Sequence, residues 1–392
     1  MSASAQRVVV ALSGGVDSAV AAYRLRELGY RVVGAFMRPW WPGDDADASG
    51  SRECTASADY IMAQRVAEHL RLEDLRLIDL TREYWQSVFV PHILEAYSRG
   101  ETPSPDLVCN RRIKFGVFRR AVDGLGDYVA TGHHARLVHG HLCRAHDDLK
   151  DQTYFLAATP AAAFHRVLFP VGDMPDKEAV RALARRIGLP NAERRSTRGI
   201  CFIGNRKSIA SFLNDYVLAG GDYAAVDVDT GRRVGQLSPY WTVGQRARLS
   251  GMSRPYYVCD KDPIARLMHV CAGREHPRLR CRGYEVEAFD LWSSRHDAER
   301  ACGVADASSD RYWYRAWHRH HLTPCTVTCI GAPEAAMRPR LHIRSVGPAP
   351  ATAPGQAIVL YRQHVCVGGG TVVKMVRDEQ SEENSVQVLR SS

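Results

Sequence analysis

Long hydrophobic runs are missing from this 392-residue sequence. No apolar stretch approaches the roughly 20 residues that a membrane-spanning helix needs, so we expect no membrane partner. The first strand-like run begins at Val8, which leaves little room for a signal or transit peptide. No internal repeat is evident. With 45% hydrophobic residues, the chain can form two or three domains that have proper cores.

Lysine is scarce, because only six of the 52 basic residues are Lys and the rest are Arg. The net charge of +9 favours a polyanionic partner without requiring one. Arginine guanidiniums can form paired hydrogen bonds with phosphates or stack on bases. The composition is therefore compatible with a nucleic-acid partner.

A regular cysteine spacing is also missing. The eleven cysteines are an odd number scattered over positions 54, 109, 143, 201, 259, 271, 281, 302, 325, 329 and 366. We expect most of them to be reduced thiols of an intracellular protein. The tightest pair, Cys325 and Cys329, alternates as on a strand, which favours core positions over metal ligands. His133 and His134 follow a predicted strand, where adjacent side chains point apart, so we predict no metal site there.

The most informative segment is a glycine turn between a strand and a helix, Ser13-Gly14-Gly15-Val16-Asp17-Ser18. The β-branched run at residues 8–10 predicts a buried parallel strand, and residues 19–28 predict a helix. Unpaired N–H groups at a helix N-terminus attract anions, and glycine lets phosphate oxygens approach the backbone. The turn contains no Lys and is not a Walker A loop. It resembles the pyrophosphate loop of enzymes that split ATP between its α and β phosphates; the alternative is an ordinary strand–turn–helix corner.

Strands and helices alternate through the first 200 residues. Strands are predicted at 31–36, 75–80 and 128–132, and helices at 56–69, 85–97, 114–122 and 177–187. This alternation predicts an α/β fold with a doubly wound parallel sheet, whose ligands bind at the carboxyl ends of the strands.

The pattern changes after about residue 215, where helical periodicity fades. We predict a catalytic domain at residues 1–215, a small central domain at 216–277 and a C-terminal β-barrel at 278–376. The barrel prediction rests on short alternating stretches such as residues 325–330, 341–345 and 357–361. The polar tail at 377–392 is predicted to be disordered.

Two cysteines lie in unusual surroundings. Cys109 follows Pro103 and Pro105, which predict an extended loop, with a helix starting directly after the thiol. A thiol at a helix N-terminus beside several basic residues should have a depressed pKa. Cys201 lies in a glycine-flanked turn after several arginines. We predict that these two thiols act in nucleophilic or sulfur-carrying chemistry, whereas a single Cys is more often a buried hydrophobe.

Seven further segments carry a family resemblance that covers nearly the whole chain. They are Gly34-Ala35-Phe36-Met37, Cys54-Thr55-Ala56, Ala130-Thr131-Gly132-His133, Lys150-Asp151-Gln152-Thr153-Tyr154-Phe155-Leu156, Gly199-Ile200-Cys201-Phe202-Ile203-Gly204, Thr242-Val243-Gly244-Gln245-Arg246 and Val365-Cys366-Val367-Gly368-Gly369-Gly370. With the glycine turn, they resemble the tRNA-uridine 2-sulfurtransferases, the tRNA-specific 2-thiouridylase family. The resemblance implies an ATP-pyrophosphatase domain of the adenine nucleotide alpha hydrolase type and a central domain that recognises tRNA.

The resemblance also implies a reaction and its residues. ATP would adenylate the 2-oxygen of the wobble uridine, position 34 of tRNA, and a Cys201 persulfide would supply sulfur, with Cys109 either releasing sulfide or assisting direct transfer. ATP would contact Ala11, Leu12, Ser13, Gly14, Gly15, Val16, Asp17, Ser18, Met37 and Gly132, and Asp17 would lie near Mg²⁺. The tRNA would contact Ser104, Pro105, Asp106, Lys150, Asp151, Gln152, Trp317 and His318. The target base would leave the anticodon stack to reach the site.

The sequence departs from the family pattern at three places. Ser196-Thr197-Arg198 replaces Asp-Ser-Thr before Cys201, Ser104 replaces an Asn, and Trp317-His318 replaces an Arg-Tyr pair. The barrel run around Trp317 remains basic and aromatic, which suits RNA, although a solvated barrel edge is the alternative.

Two other functions stay open at this point. One is another ATP-pyrophosphatase, such as an amidotransferase-type synthetase or an argininosuccinate-synthase-like ligase, which would need no thiol pair. The other is a nucleotide-responsive tRNA-binding protein without catalysis. The resemblance further implies a monomer served by a persulfide donor or relay protein, cytoplasmic in a bacterium or mitochondrial in a eukaryote.

Overall fold

A computed structural model describes residues 5–40, 55–194, 213, 216, 221–289, 312–330 and 339–377. The described chain forms two compact units. The first contains residues 5–40, 55–89, 105–194 and 364–366. The second contains residues 90–104 and the remaining described residues. The domain boundaries at 215 and 277 stay predictions.

A five-stranded parallel sheet forms the centre of the first unit, in the order β3-β2-β1-β4-β7. Its strands are β1 (Arg7–Ala11), β2 (Arg31–Arg38), β3 (Leu75–Asp79), β4 (Tyr128–Thr131) and β7 (Val167–Leu168). Val8, Val9 and Val10 of the central strand are fully buried, as a β-branched run covered on both faces should be. The predicted parallel α/β sheet is confirmed.

Helices lie between these strands and after the last of them. They are α1 (Val16–Glu27), α2 (Thr55–His69), α3 (Thr81–Tyr84), α4 (Glu95–Ser98), α5 (Pro105–Val108), α6 (Arg119–Ala121), α7 (Thr153–Leu156) and α8 (Lys177–Arg186), with π-helical segments at Trp85–Leu94 and Cys109–Phe118 and a 3₁₀ turn at Ala161–Phe164. Residues of α1, α2 and α8 share one core cluster with β1 and β2. None of the helices in the described part of the chain is long and apolar enough to cross a membrane.

The prediction of an extended loop that reaches Cys109 is wrong, because the non-helical residues end at Ser104. Helical structure begins at Pro105 and continues from α5 through Cys109–Phe118 to α6. Proline is well tolerated at the first helical position, where its missing N–H would have no partner in any case. Pro105 therefore starts this helix rather than preventing it, and Cys109 lies in its second turn.

The strand order places a topological switch point beside β1. The chain runs outward from β1 to β2 and β3, and then returns to β4 on the other side of β1. Ligands of open α/β sheets bind where the strand order reverses, at the carboxyl ends of the strands. Here those ends lead into Ser13–Ser18 after β1 and Gly132–His134 after β4. A hairpin of β5 (Ala135–Val138) and β6 (His141–Arg144) follows.

The second unit contains a five-stranded sheet and a barrel. The sheet has the order β10-β11-β12-β8-β9 and consists of β8 (Tyr223–Asp227), β9 (Arg233–Leu237), β10 (Arg246–Ala247), β11 (Tyr256–Asp262) and β12 (Leu267–Ala272). After a 3₁₀ turn at Pro277–Leu279 come β13 (Arg280–Ala288), β14 (Tyr312–Arg315), β15 (Thr323–Ile330), β16 (Arg340–Pro350), β17 (Ala357–Arg362) and β18 (Val365–Val376). In the described residues these six strands close on themselves through the β13–β18 pairing, which confirms the predicted β-barrel.

Candidate functional site

The Ser13–Ser18 turn is held open by its own hydrogen bonds. The Ser13 N–H donates to Ser18 Oγ over 3.2 Å, and that hydroxyl donates to the Gly15 carbonyl over 2.9 Å. Gly15 is the extended residue before α1, and Ser13 is exposed. The turn therefore presents the N–H groups that follow Ser13 and the positive end of α1 at one edge of the sheet, which suits an anion.

Gly14 is required by both its backbone and its surroundings. Its φ of +74° lies in the left-handed region, and a Cβ there would collide with the Asp59 carbonyl. The Gly14 carbonyl accepts hydrogen bonds from Asn191 Nδ2 at 3.0 Å and from the Arg194 guanidinium at 3.3 Å. Arg194 also pairs with the Asp59 carboxylate. The turn is thus fixed by the segment that leads toward residue 201.

Gly132, at the end of β4, allows a close approach to α1. A Cβ on Gly132 would lie 2.6 Å from the Ser18 nitrogen and 2.7 Å from the Asp17 carbonyl carbon. Met37 lies near the end of β2, half-buried, and Leu12 is fully buried beneath the turn. The predicted nucleotide residues therefore meet at one edge of the sheet, although their contacts with a nucleotide stay predictions.

Asp17 forms a charged cluster that the sequence analysis missed. Its carboxylate accepts a hydrogen bond from His134 Nε2 at 3.0 Å and pairs with Lys177 Nζ. Burial raises the pKa of Asp17, but the His134 hydrogen bond and the Lys177 charge outweigh it, so the pKa falls below its ordinary value. Burial lowers the pKa of Lys177, against the opposing effect of the Asp17 charge.

Lys177 supplies the cation that the turn lacks. It is the first residue of α8, whose N-cap Asp176 accepts a hydrogen bond from the Ala179 N–H. A helix start at Asp176-Lys177 is visible in the sequence, but its position beside Asp17 depends on the fold. The pair His133-His134, which follows Gly132 after β4, is the other sequence feature that could have indicated this cluster.

His133 and His134 point to different partners. His133 Nδ1 lies 2.7 Å from Thr131 Oγ1, and its ring packs against Phe115 and Phe169. Burial and the nearby Lys114 charge hold the pKa of His133 well below its ordinary value, so the ring is neutral. Within the described residues, no group of three or more His, Cys, Asp or Glu side chains could hold a metal ion.

The predicted tRNA residues 150–152 differ in exposure. Lys150 and Gln152 are half-buried, whereas Asp151 is fully buried and accepts hydrogen bonds from the Ala145 N–H at 3.1 Å and the Thr153 hydroxyl at 2.8 Å. The Asp151 carboxylate holds this turn together and is enclosed by protein in this conformation. Its contact with tRNA, like those of its neighbours, stays a prediction.

Cys109 is buried, at 5% exposure, within the helix that begins at Pro105. Because the helix dipole acts within the first turn, it gives no support for a depressed pKa at Cys109, whereas the effect expected from the neighbouring basic residues stays a prediction. Asp106 is half-buried, and burial raises its pKa more than the Lys114 charge lowers it. Cys201 and the Ser196-Thr197-Arg198 departure lie outside the described residues.

The remaining predicted tRNA residues are placed as follows. Pro105 is buried in the first unit, and Ser104 is half-buried in the second. Trp317 and His318 follow β14 in the second unit. Trp317 is 44% exposed, and its ring lies 4.4 Å from that of His320. An exposed ring of this kind can stack on a base.

Comparisons with known proteins identify the family. Residues 6–205 match a family model described as the tRNA methyl transferase HUP domain, and residues 300–372 match the aminomethyltransferase beta-barrel domain. The chain is 38% identical over 389 residues to the tRNA-specific 2-thiouridylase MnmA of Proteus mirabilis (strain HI4320), covering 96% of this chain and 99% of that protein. The chain belongs to the tRNA-specific 2-thiouridylase family. This membership confirms the resemblance read from the motifs.

Other similarities differ in extent. The thiouridylase of the same name from Escherichia coli O1:K1 / APEC is 38% identical over 386 residues, covering 95% of this chain and 98% of that protein. A solved 4-thiouridine synthetase–RNA complex with bound ATP is 16% identical and covers 51% of this chain and 46% of that chain, at a TM-score of 0.33. The similarity to this solved structure is too low to bear on function. The sequence similarity to the thiouridylases covers nearly the whole length of both proteins.

Proposed function

We propose that this chain catalyses the ATP-dependent 2-thiolation of the wobble uridine, position 34, of tRNA. The observation that carries the proposal is a pyrophosphate loop at the switch point of a parallel sheet, in a chain that belongs to the tRNA-specific 2-thiouridylase family. In the first step, the uridine 2-oxygen attacks the α-phosphorus of ATP. The bond to the bridging oxygen of the β-phosphate breaks, and pyrophosphate leaves.

The residues of the loop suit this step. The Ala11–Ser18 segment would hold the phosphates through the N–H groups of its glycines and the N-terminus of α1, with Met37 and Gly132 beside the nucleotide. Lys177 would bring an ammonium to the negative charge that develops on the leaving pyrophosphate. Held on Asp17, this ammonium is already in place before ATP arrives.

Mg²⁺ would neutralise phosphate charge when it enters with ATP. In this conformation Lys177 and His134 occupy the Asp17 carboxylate, so the side chains of the described loop do not form a metal site on their own. We therefore assign no step to the ion.

Sulfur would arrive as a persulfide on Cys201, loaded by a donor or relay protein. In one route, the Cys109 thiolate attacks the inner sulfur of Cys201, forming a disulfide and releasing hydrosulfide, which displaces AMP from the uridine C2. In the other, the terminal sulfur of the persulfide attacks C2, AMP leaves, and Cys109 then frees the thiolated base by attacking Cys201. Both routes leave a Cys109–Cys201 disulfide that a cellular thiol must reduce.

The thiol pair has its own test. During turnover, mass spectrometry of rapidly alkylated enzyme should detect a Cys201 persulfide and a Cys109–Cys201 disulfide. When bridged, the two Cα atoms should lie roughly 4.4–6.8 Å apart. If trapping never yields either species, the pair is removed from the mechanism.

Contacts with tRNA would come from both units. Ser104, Pro105 and Asp106 would border the extruded base, Lys150 would contact the backbone, and Trp317 with His318 would contact RNA at the barrel. Because Asp151 is enclosed, we assign it to holding the turn under Lys150. The protein would act as a monomer, and its bacterial relatives favour the cytoplasmic alternative for its location.

Mass spectrometry of tRNA nucleosides tests the proposed function. Depletion of this protein should remove 2-thiouridine, and the wild-type gene should restore it, whereas Cys201→Ser should not. Another ATP-pyrophosphatase would retain its activity with Cys201→Ser, and a non-catalytic binding protein would leave 2-thiouridine unchanged on depletion. Either result contradicts the proposal.

A further inference from the structure

A short segment that precedes α7 contacts both partners of Asp17. This segment, residues 147–152, is here called the anchor segment. Asp17 receives hydrogen bonds from His134 and Lys177. Neither donor belongs to the pyrophosphate loop, so the position of each main chain is set by other parts of the first unit.

Gln152 holds the main chain of His134 at two points. Its side-chain oxygen Oε1 accepts a hydrogen bond from the His134 N–H at 2.9 Å, and its own N–H donates to the His134 carbonyl at 2.8 Å. The His134 side chain is 4% exposed, and its Nδ1 has no hydrogen-bond partner within the described residues. The direction of the ring toward Asp17 therefore rests on the Nε2 bond and on the main-chain position that Gln152 sets.

Asp147 holds the start of α8 in a similar way. Its Oδ2 accepts a hydrogen bond from the Lys177 N–H at 3.1 Å, while its Oδ1 accepts from the Leu149 N–H at 2.9 Å. One carboxylate thus closes the turn of the anchor segment and fixes the backbone of Lys177. Leu149, at the tip of this turn, is 81% exposed.

We propose that Gln152 is a positioning residue for the ATP site, which acts through His134 on Asp17, and that Asp147 acts likewise through Lys177. The proposal rests on the proposed function and deepens it. The acceptor oxygen of Gln152 is engaged inside the protein, so the contribution of this oxygen is made to the ATP site rather than to RNA. The tip of the anchor segment, at the exposed Leu149 and the half-buried Lys150, is a surface for RNA.

Two substitutions of Gln152 separate these roles. Gln152→Met keeps the length of the side chain and removes the acceptor for the His134 N–H. Gln152→Glu keeps an acceptor oxygen and removes the amide donor that an RNA contact would use. For thiolation at saturating tRNA, we expect Gln152→Met to lower kcat/KM for ATP about tenfold, a loss of about 1.4 kcal/mol. Gln152→Glu should stay within about threefold of wild type in kcat/KM for ATP, and the tRNA Kd of Gln152→Met should stay within about twofold.

A binding cycle tests whether Gln152 acts through Asp17. The Kd of a non-hydrolysable ATP analogue is measured for wild type, Gln152→Met, Asp17→Ala and the double variant. If Gln152 acts through Asp17, Gln152→Met should weaken binding in the wild-type background and add nothing to Asp17→Ala, which has no acceptor for His134. A purely structural role would give additive losses, and this outcome overturns the proposal.

Loss of tRNA affinity in Gln152→Met with unchanged ATP parameters would also overturn the proposal, by assigning Gln152 to RNA. If Gln152→Met fails to fold in a thermal melt, Gln152→Glu still decides, because an RNA role predicts weaker tRNA binding for the added negative charge. The analogue cycle needs no thiolation. Failure of the proposed function would appear instead as a wild-type protein that binds the analogue and produces no 2-thiouridine.

Discussion

Removing the Lys177 ammonium is the sharpest perturbation of the ATP site. The Lys177 side chain is 14% exposed and the Asp17 side chain 30% exposed, so their pair is shielded from water more than a surface ion pair. A hydrogen bond to a charged group contributes about 1.5–3 kcal/mol. If Lys177 exchanges Asp17 for the leaving pyrophosphate, its loss should lower kcat/KM for ATP by about 10-fold to 100-fold.

The assay compares three variants in tRNA thiolation with ATP as the varied substrate. Lys177→Met keeps an unbranched side chain and removes the charge, whereas Lys177→Arg keeps the charge in a planar group. Lys374→Met is a matched control, because Lys374 is 62% exposed on the barrel and pairs only with Glu285 among the charged groups described. We expect a large loss for Lys177→Met, a smaller one for Lys177→Arg and none for Lys374→Met. A Lys177→Met enzyme within twofold of wild type would refute the reasoning.

Lys177→Met should also change the stability of the protein in acid. The folded-state pKa of Asp17 lies below its ordinary value of 3.8, so Asp17 adds stability above about pH 4 and loses it as the pH falls through the folded value. Lys177→Met removes a lowering effect and leaves the burial that raises the pKa. The acid limb of the unfolding curve should therefore move to higher pH. An unchanged acid limb would mean that Lys177 does not set the Asp17 charge.

Three further predictions address other parts of the site. Asp17→Ala should abolish adenylation and leave tRNA binding largely intact; ATP–pyrophosphate exchange at the wild-type rate would contradict the assignment. Gly132→Ala places a Cβ 2.6 Å from the Ser18 nitrogen and should cost about 1–3 kcal/mol in urea unfolding, whereas Gly15→Ala, whose Cβ among the described residues meets Ser13 Oγ alone, at 3.4 Å, should be nearly neutral for stability. Equal unfolding midpoints for the two would remove the close-approach argument. Trp317→Ala with His318→Ala should weaken tRNA binding in filter assays across a salt series without changing ATP binding, and unchanged tRNA affinity would mean that the barrel contact is absent.

Local patterns were sufficient to predict the core of the fold. A β-branched run buried on both faces predicts β1, and the glycine turn after it predicts α1, because these signals act between neighbouring residues. The helix at Pro105 was missed because the same proline favours a first helical position and disfavours an interior one. Which effect applies depends on the helix register, and the sequence alone does not define it. The error removes the helix dipole as a reason to expect a depressed pKa at Cys109, because its thiol lies beyond the first turn.

The cluster around Asp17 could not be predicted in this way. Lys177 is 160 residues from Asp17 in the sequence, and His134 is 117 residues away. Each lies at a visible local signal, a helix start and a strand end, but only the strand order brings the two signals together. Parallel sheets align the carboxyl ends of their strands at one edge. A polar residue just after one strand is therefore a candidate to share a site with the residues that follow the other strands.

The scarcity of lysine in the chain makes the choice of Lys rather than Arg at position 177 informative about the site. In a chain whose basic residues are nearly all Arg, a lysine lies beside Asp17. An ammonium is a compact point charge that can move between one carboxylate and one phosphate, whereas a guanidinium forms a planar fork that favours paired contacts. The charge of Lys114 likewise acts on Asp106 and on His133, and it favours a lower pKa for each of them. If compactness is what the site needs, Lys177→Arg should retain the charge and still lose activity, and full activity of that variant would show that charge alone is sufficient.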